Sequence, residues 1–170
     1  GRDGVINEMW ALNNQPVSID ATLSHIDDIG TVMAYNHYPV GWAHAMDCPY
    51  QWTKQVASHW GGTRNGMAVR WPQGIAAEGE VRNQFTHVID ITPTILECAG
   101  LPAPDFVNGI MQQPMEGISF AYSFDDAEAP EQHTTQYFEM FGNRGIYHDG
   151  WSAITKHIIP FKPDTGAVTW

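Results

Sequence analysis

Apolar and polar residues follow different periods along this chain, and the changes of period mark out its elements. Residues 1–17 show no period: Gly, Asn and Pro16 separate isolated apolar residues, which predicts a loop. From Ser18 the pattern turns helical, with Ile19, Leu23 and Ile26 on one face and Ser18 placed to cap the first turn. Gly30 ends this short amphipathic helix, leaving His25, Asp27 and Asp28 at a solvated end rather than in a metal site. Residues 34–49 are rich in aromatic residues, Pro and Gly and predict an ordered loop. Pro49 then suits the first turn of a helix reaching Trp60, with Trp52, Val56 and Trp60 on one face and Gly61-Gly62 as the stop. On such a helix Lys54 lies roughly 200° around the axis from Trp52 and points away from the buried face.

Further on, Met67 to Trp71 has strand character and is stopped by Pro72, and residues 73–84 read as a surface loop. Phe85 to Asp90 predicts a second strand, feeding a helix capped by Thr92, with Pro93 at its first position and its end near Gly100. A strand leading directly into a helix is an α/β signal. Residues 102–130 are turn-rich, with acidic residues at Asp125, Asp126 and Glu128. Gln136 to Phe141 and Gly145 to Tyr147 predict two strands joined at Gly142-Asn143, with Trp151 to Ile159 as a third. The expected fold class is therefore α/β with a small antiparallel sheet late in the chain. Residues 1–130 are assigned to the main α/β domain and residues 131–170 to the start of a small subdomain.

Composition narrows the function classes. The 43% hydrophobic and 16% charged residues suit a globular chain and argue against disorder. No run approaches the ~18 consecutive apolar residues of a membrane span, and residues 1–15 show no signal peptide. A formal net charge of −11 argues against nucleic acid or an anionic membrane as partner. It leaves room for an anionic small molecule, because a local cationic pocket overrides the global field. The two cysteines, Cys48 and Cys98, form neither a disulfide framework nor zinc-binding spacing.

The sharpest chemical signal is the block Asn36-His37-Tyr38-Pro39-Val40-Gly41-Trp42-Ala43-His44-Ala45, followed by Pro49-Tyr50-Gln51-Trp52-Thr53-Lys54 and Gly61-Gly62-Thr63-Arg64. It resembles the segment of type I, arylsulfatase-like sulfatases of the alkaline phosphatase superfamily that carries a sulfate-contacting lysine. Gly66 to Pro72, the His87-Val88-Ile89-Asp90-Ile91-Thr92-Pro93-Thr94 stretch, Gly117-Ile118-Ser119 and the Tyr137 to Trp151 segment are similar to later blocks of that family, in the same order. The resemblance implies the later part of an alkaline phosphatase-like sulfatase fold and hydrolysis of a sulfate monoester. It also implies a formylglycine nucleophile and a Ca2+ ion whose ligands precede Gly1, so that the chain is expected to be inactive alone. Cys48 is not the formylglycine precursor, because Pro49 stands one place too early for Cys/Ser-x-Pro-x-Arg and no arginine follows.

Carried over residue by residue, the resemblance makes Lys54 the catalytic cation and the contact to the sulfate. A compact ammonium on a flexible stem suits an oxyanion on which charge builds. His37 and His44 in the aromatic block, and His87 beside Asp90, are further candidates for substrate contact. No metal ligand is assigned within the chain. Arg64 and Arg144 are read as structural braces pairing with carboxylates. The implied partner is a sulfated small molecule or sulfated glycan. Two other readings stand beside this one: phosphate diester or phosphonate ester hydrolysis on the same scaffold, and a non-catalytic carbohydrate-binding module using its aromatic loop.

Overall fold

A computed structural model describes Asn14, residues 18–34 and residues 40–157. Among them are the helices α1 (Ile19–Ser24), α2 (Val40–Asp47), α3 (Trp60–Thr63) and α4 (Ile91–Cys98). The strands are β1 (Phe106–Val107), β2 (Ile110–Met111), β3 (Thr135–Met140), β4 (Asn143–His148) and β5 (Trp151–Thr155). Helices and strands mix, and the two sheets, β1-β2 and β3-β4-β5, are small and antiparallel. The described residues fall into two units. One takes in the chain up to Arg64, Met140–Asn143 and the residues from Lys156; the other is Asn65–Glu139 with Arg144–Thr155. Among the described residues no helix is long and apolar enough to cross a membrane.

In the first unit α1 starts as its sequence dictates. Ser18 Oγ accepts the Ala21 N–H at 3.1 Å, and Asp20 complements the helix dipole in the first turn. A 3₁₀ turn, Ile26–Asp28, carries the chain toward Gly30, whose φ of +83° reverses it. The expected loop over 34–49 is corrected in its second half, where α2 forms: Ala43, Ala45 and Met46 are good helix formers that outweigh Gly41. The expected helix from Pro49 to Trp60 is not formed. Trp52 and Gln55 have φ of +67° and +77°, a left-handed conformation that a right-handed helix excludes. Gly61 and Gly62 do not stop a helix; they lie inside the single turn of α3.

In the second unit, Met67 to Trp71 forms no strand, so the expected strand is corrected to irregular chain. The expected strand over Phe85 to Asp90 is corrected too: its last three residues are a 3₁₀ turn, Val88–Asp90, running into α4. That helix starts at Ile91, which places Pro93 within its first turn. At its end the Leu101 N–H reaches the Leu96 carbonyl at 2.9 Å, with Gly100 at φ +66°. The turn-rich segment also holds a small hairpin. Asn108 and Gly109, both at positive φ, join β1 to β2 in the two-residue turn whose twist suits paired strands. Phe141-Gly142 and Asp149-Gly150 repeat this arrangement in the larger sheet. Along β4, Asn143, Gly145 and Tyr147 are buried while Arg144, Ile146 and His148 are exposed. Around Tyr147 the core consists of stacked rings, with Phe85 at 4.1 Å between centroids.

Candidate functional site

Lys54 sits in a turn between α2 and α3 that is built almost wholly from backbone hydrogen bonds. The Val56 N–H donates to the Thr53 carbonyl at 3.2 Å, the His59 N–H to Val56 at 3.1 Å, and the Gly61 N–H to Gln51 at 3.0 Å. Val56 and Ser58 are buried and anchor the turn, whereas Lys54 is exposed. The two glycines of α3 allow the close approach. A Cβ on Gly61 would overlap the carbonyl oxygens of Trp52 and Gln51, and one on Gly62 would overlap that of Val56.

Two further groups fix this turn from the far end of the chain. The fully buried Asn143 donates from Nδ2 to the Gln55 carbonyl at 3.4 Å and accepts the His157 N–H on Oδ1 at 2.9 Å. The Lys156 ammonium lies over the Trp52 ring, 3.8 Å from its centroid. His59 meets Trp52 edge to face at 6.2 Å and shares a hydrogen bond of 2.8 Å between its Nδ1 and Ser58 Oγ. Burial, aided by the Lys156 charge, lowers the His59 pKa and favours a neutral ring. Among the described residues neither Lys54 nor Lys156 has a carboxylate partner at ion-pair distance. Arg64 does brace the site, but against rings rather than a carboxylate: its guanidinium is 5.0 Å from the centroids of both Tyr50 and Trp60. Arg144 is exposed in β4, opposite Thr155.

The other residues singled out by sequence are distributed differently. His44 is exposed in the last turn of α2, within the same unit as Lys54. His37 lies outside the described residues. His87 belongs to the second unit and is half-buried, with its ring 5.6 Å from Phe138 and 6.3 Å from His133. Burial lowers its pKa, an effect partly offset by Asp90 and reinforced by His133.

Sequence reasoning missed the polar centre beside His87. Asp90 is fully buried, and its two oxygens lie 2.8 and 2.7 Å from His133 Nδ1. The same carboxylate accepts the His87 N–H at 2.7 Å and the Ile118 N–H at 2.9 Å. His133 Nε2 reaches Gln136 Oε1 at 3.0 Å, while Thr94 Oγ1 donates to the Asp90 carbonyl and accepts the Phe120 N–H. One carboxylate thereby holds three chain segments together. An open cleft of about 550 Å³ between α4 and β2, lined by Leu96, Glu97, Leu101 and Gln112, contains none of the sequence-predicted site residues.

The donor set does not suit a Ca2+ ion: among the described residues no three His, Cys, Asp or Glu side chains come together to hold a metal. What the first unit offers chemically is fixed cationic charge on an exposed turn. That turn lies within the segment that the sulfatase family model matches, residues 17–101 of 170, which is half of the chain. The chain belongs to the sulfatase family.

Proposed function

We propose that this chain serves arylsulfatase-type hydrolysis of a sulfate monoester, within an alkaline phosphatase-like fold, and that Lys54 is its contact to the sulfate. The observation that carries this reading is an exposed ammonium, without a carboxylate partner among the described residues, on a hydrogen-bonded turn inside the matched segment. Negative charge builds on the leaving and non-bridging oxygens as the S–O bond breaks. A cation already in place stabilises that charge without reorganising. Lys54 Nζ can donate to those oxygens from a turn whose backbone is already hydrogen-bonded. His44, in the same unit as Lys54, is proposed as an additional substrate contact. No step through the formylglycine nucleophile or the Ca2+ ion that the resemblance implies is derived from this chain.

Titration with phenyl sulfate tests the assignment. The Lys54→Ala variant should bind about tenfold or more weakly, or ~1.4 kcal/mol. Equal affinity of the two proteins for phenyl sulfate would remove Lys54 from the site.

A further inference from the structure

We infer that Lys156 is a second cation of the Lys54 site and binds a second anionic group, a carboxylate or a further sulfate, carried by the sulfate ester. This rests on the reading of Lys54 as the sulfate contact. Lys156 is about a hundred residues from Lys54 in sequence, yet two contacts fix it to the same turn. Its ammonium lies 3.8 Å from the centroid of Trp52, and the Cα of Trp52 is at most about 7 Å from that of Lys54. The residues that follow the two lysines, Gln55 and His157, are both bonded to the buried Asn143 amide. The segments are therefore held at two adjacent points, which fixes their register.

Charge makes the arrangement informative. The chain has 19 acidic residues against 8 basic ones, and lysine occurs only at positions 54, 156 and 162. Two of those three lysines are gathered here, and among the described residues neither meets a carboxylate at ion-pair distance. The nearby imidazole of His59, whose neutral form burial and Lys156 itself favour, adds no negative charge to offset them. A ring beneath an ammonium engages one side of it; a Lys Nζ has three N–H donors, and those directed away from Trp52 are free to meet an anion. A substrate with one charge satisfies Lys54 alone. A substrate with two, spaced to span the turn, satisfies both lysines.

The test is calorimetric titration of the full chain at low ionic strength, where exposed charges are least screened. The probes are phenyl sulfate and its 2-, 3- and 4-carboxy derivatives, which cover a range of spacings. At least one carboxy isomer should bind fivefold or more tightly than phenyl sulfate. Lys156→Met should erase that margin and Lys156→Arg should keep it, while Lys54→Ala should weaken every ester. Thermal unfolding of each variant confirms that it is folded. The inference is overturned if no isomer gains over phenyl sulfate, or if the margin survives Lys156→Met; the Lys54 assignment then stands or falls on Lys54→Ala alone. It is also overturned if Lys156→Met weakens all esters by one common factor, since Lys156 would then only brace the turn. If no ester binds the wild-type chain, both readings fall.

Discussion

Asp90 ties together three chain segments through one fully buried carboxylate. Its carboxylate is removed from water and answers three donors: the His87 N–H, the Ile118 N–H and His133 Nδ1. Replacing it with alanine leaves all three enclosed without an acceptor. Each buried donor left without its acceptor costs about 1–3 kcal/mol, so losing the acceptor of all three removes a large share of the ~5–15 kcal/mol that stabilises an ordinary domain. Asp90→Ala should therefore lower the urea midpoint severely or leave the second unit unfolded. Asp90→Asn keeps an oxygen acceptor but turns an NH2 toward one of the same donors, and should fall between alanine and wild type. An alanine variant within about 1 kcal/mol of wild type would mean that the network is decorative rather than structural.

At the scale of elements, the parts legible in the sequence are those decided by neighbours. Ser18 caps α1 through the Ala21 N–H three residues on, and Gly100 closes α4 through the last turn of the same helix. The three-stranded sheet was readable because Gly142 and Gly150 supply the positive φ that its two-residue turns require. Asn108-Gly109 carries an equally strong hairpin signal, but strands of two residues are too short to show alternation. Around Lys54 the local pattern predicts a helix where a turn forms, because the contacts that decide it are not local. The Asn143 amide reaches Gln55 across 88 residues, just as His133 reaches Asp90 across 43. Lys54 was visible through its resemblance to the family block, but the residues that fix its turn were not. The role of α3 in this packing gives a direct prediction. In Gly61→Ala the new Cβ meets two backbone oxygens that cannot rotate away and lies 2.7 Å from Asp47 Oδ2. Overpacking of this kind costs about 1–3 kcal/mol, and relief requires the Lys54 turn to move. Gly61→Ala should thus lose stability and phenyl sulfate affinity together. Gly66→Ala, where nothing lies within 4 Å, should change stability by no more than about 0.5 kcal/mol. Unchanged phenyl sulfate binding by a destabilised Gly61→Ala would detach the turn from the site.

For the whole molecule, the balance of buried groups leans toward polar side chains. Among the described residues the buried hydrophobic ones are Val56, Phe120 and Tyr147, against the polar Ser58, Asp90, Thr94, Ser123, His133 and Asn143. A fold held this way should respond to pH wherever a buried group titrates differently in the folded and unfolded states. His59 and His87 are both lowered from 6.5, chiefly by burial, so the unfolded chain takes up their protons first as pH falls. Their contribution is present above about 6.5 and is lost as pH drops through the folded values. Tyr147 works in the opposite direction. Burial and the hydrogen bond from its hydroxyl to Glu131 Oε2, at 2.5 Å, push its pKa from 10.0 up to about 12. Between those two values the folded chain keeps a proton that the unfolded chain has released, so stability falls as pH rises through this window. Urea midpoints measured across pH should form a plateau from about 6.5 to about 10, with a descending flank on each side. Tyr147→Phe should soften the alkaline flank and leave the acid one in place. Lys156→Met, by removing the charge that opposes protonation of His59, should soften the acid flank alone. If Tyr147→Phe left the alkaline slope unaltered, the Glu131–Tyr147 pair would not be what couples this fold to base.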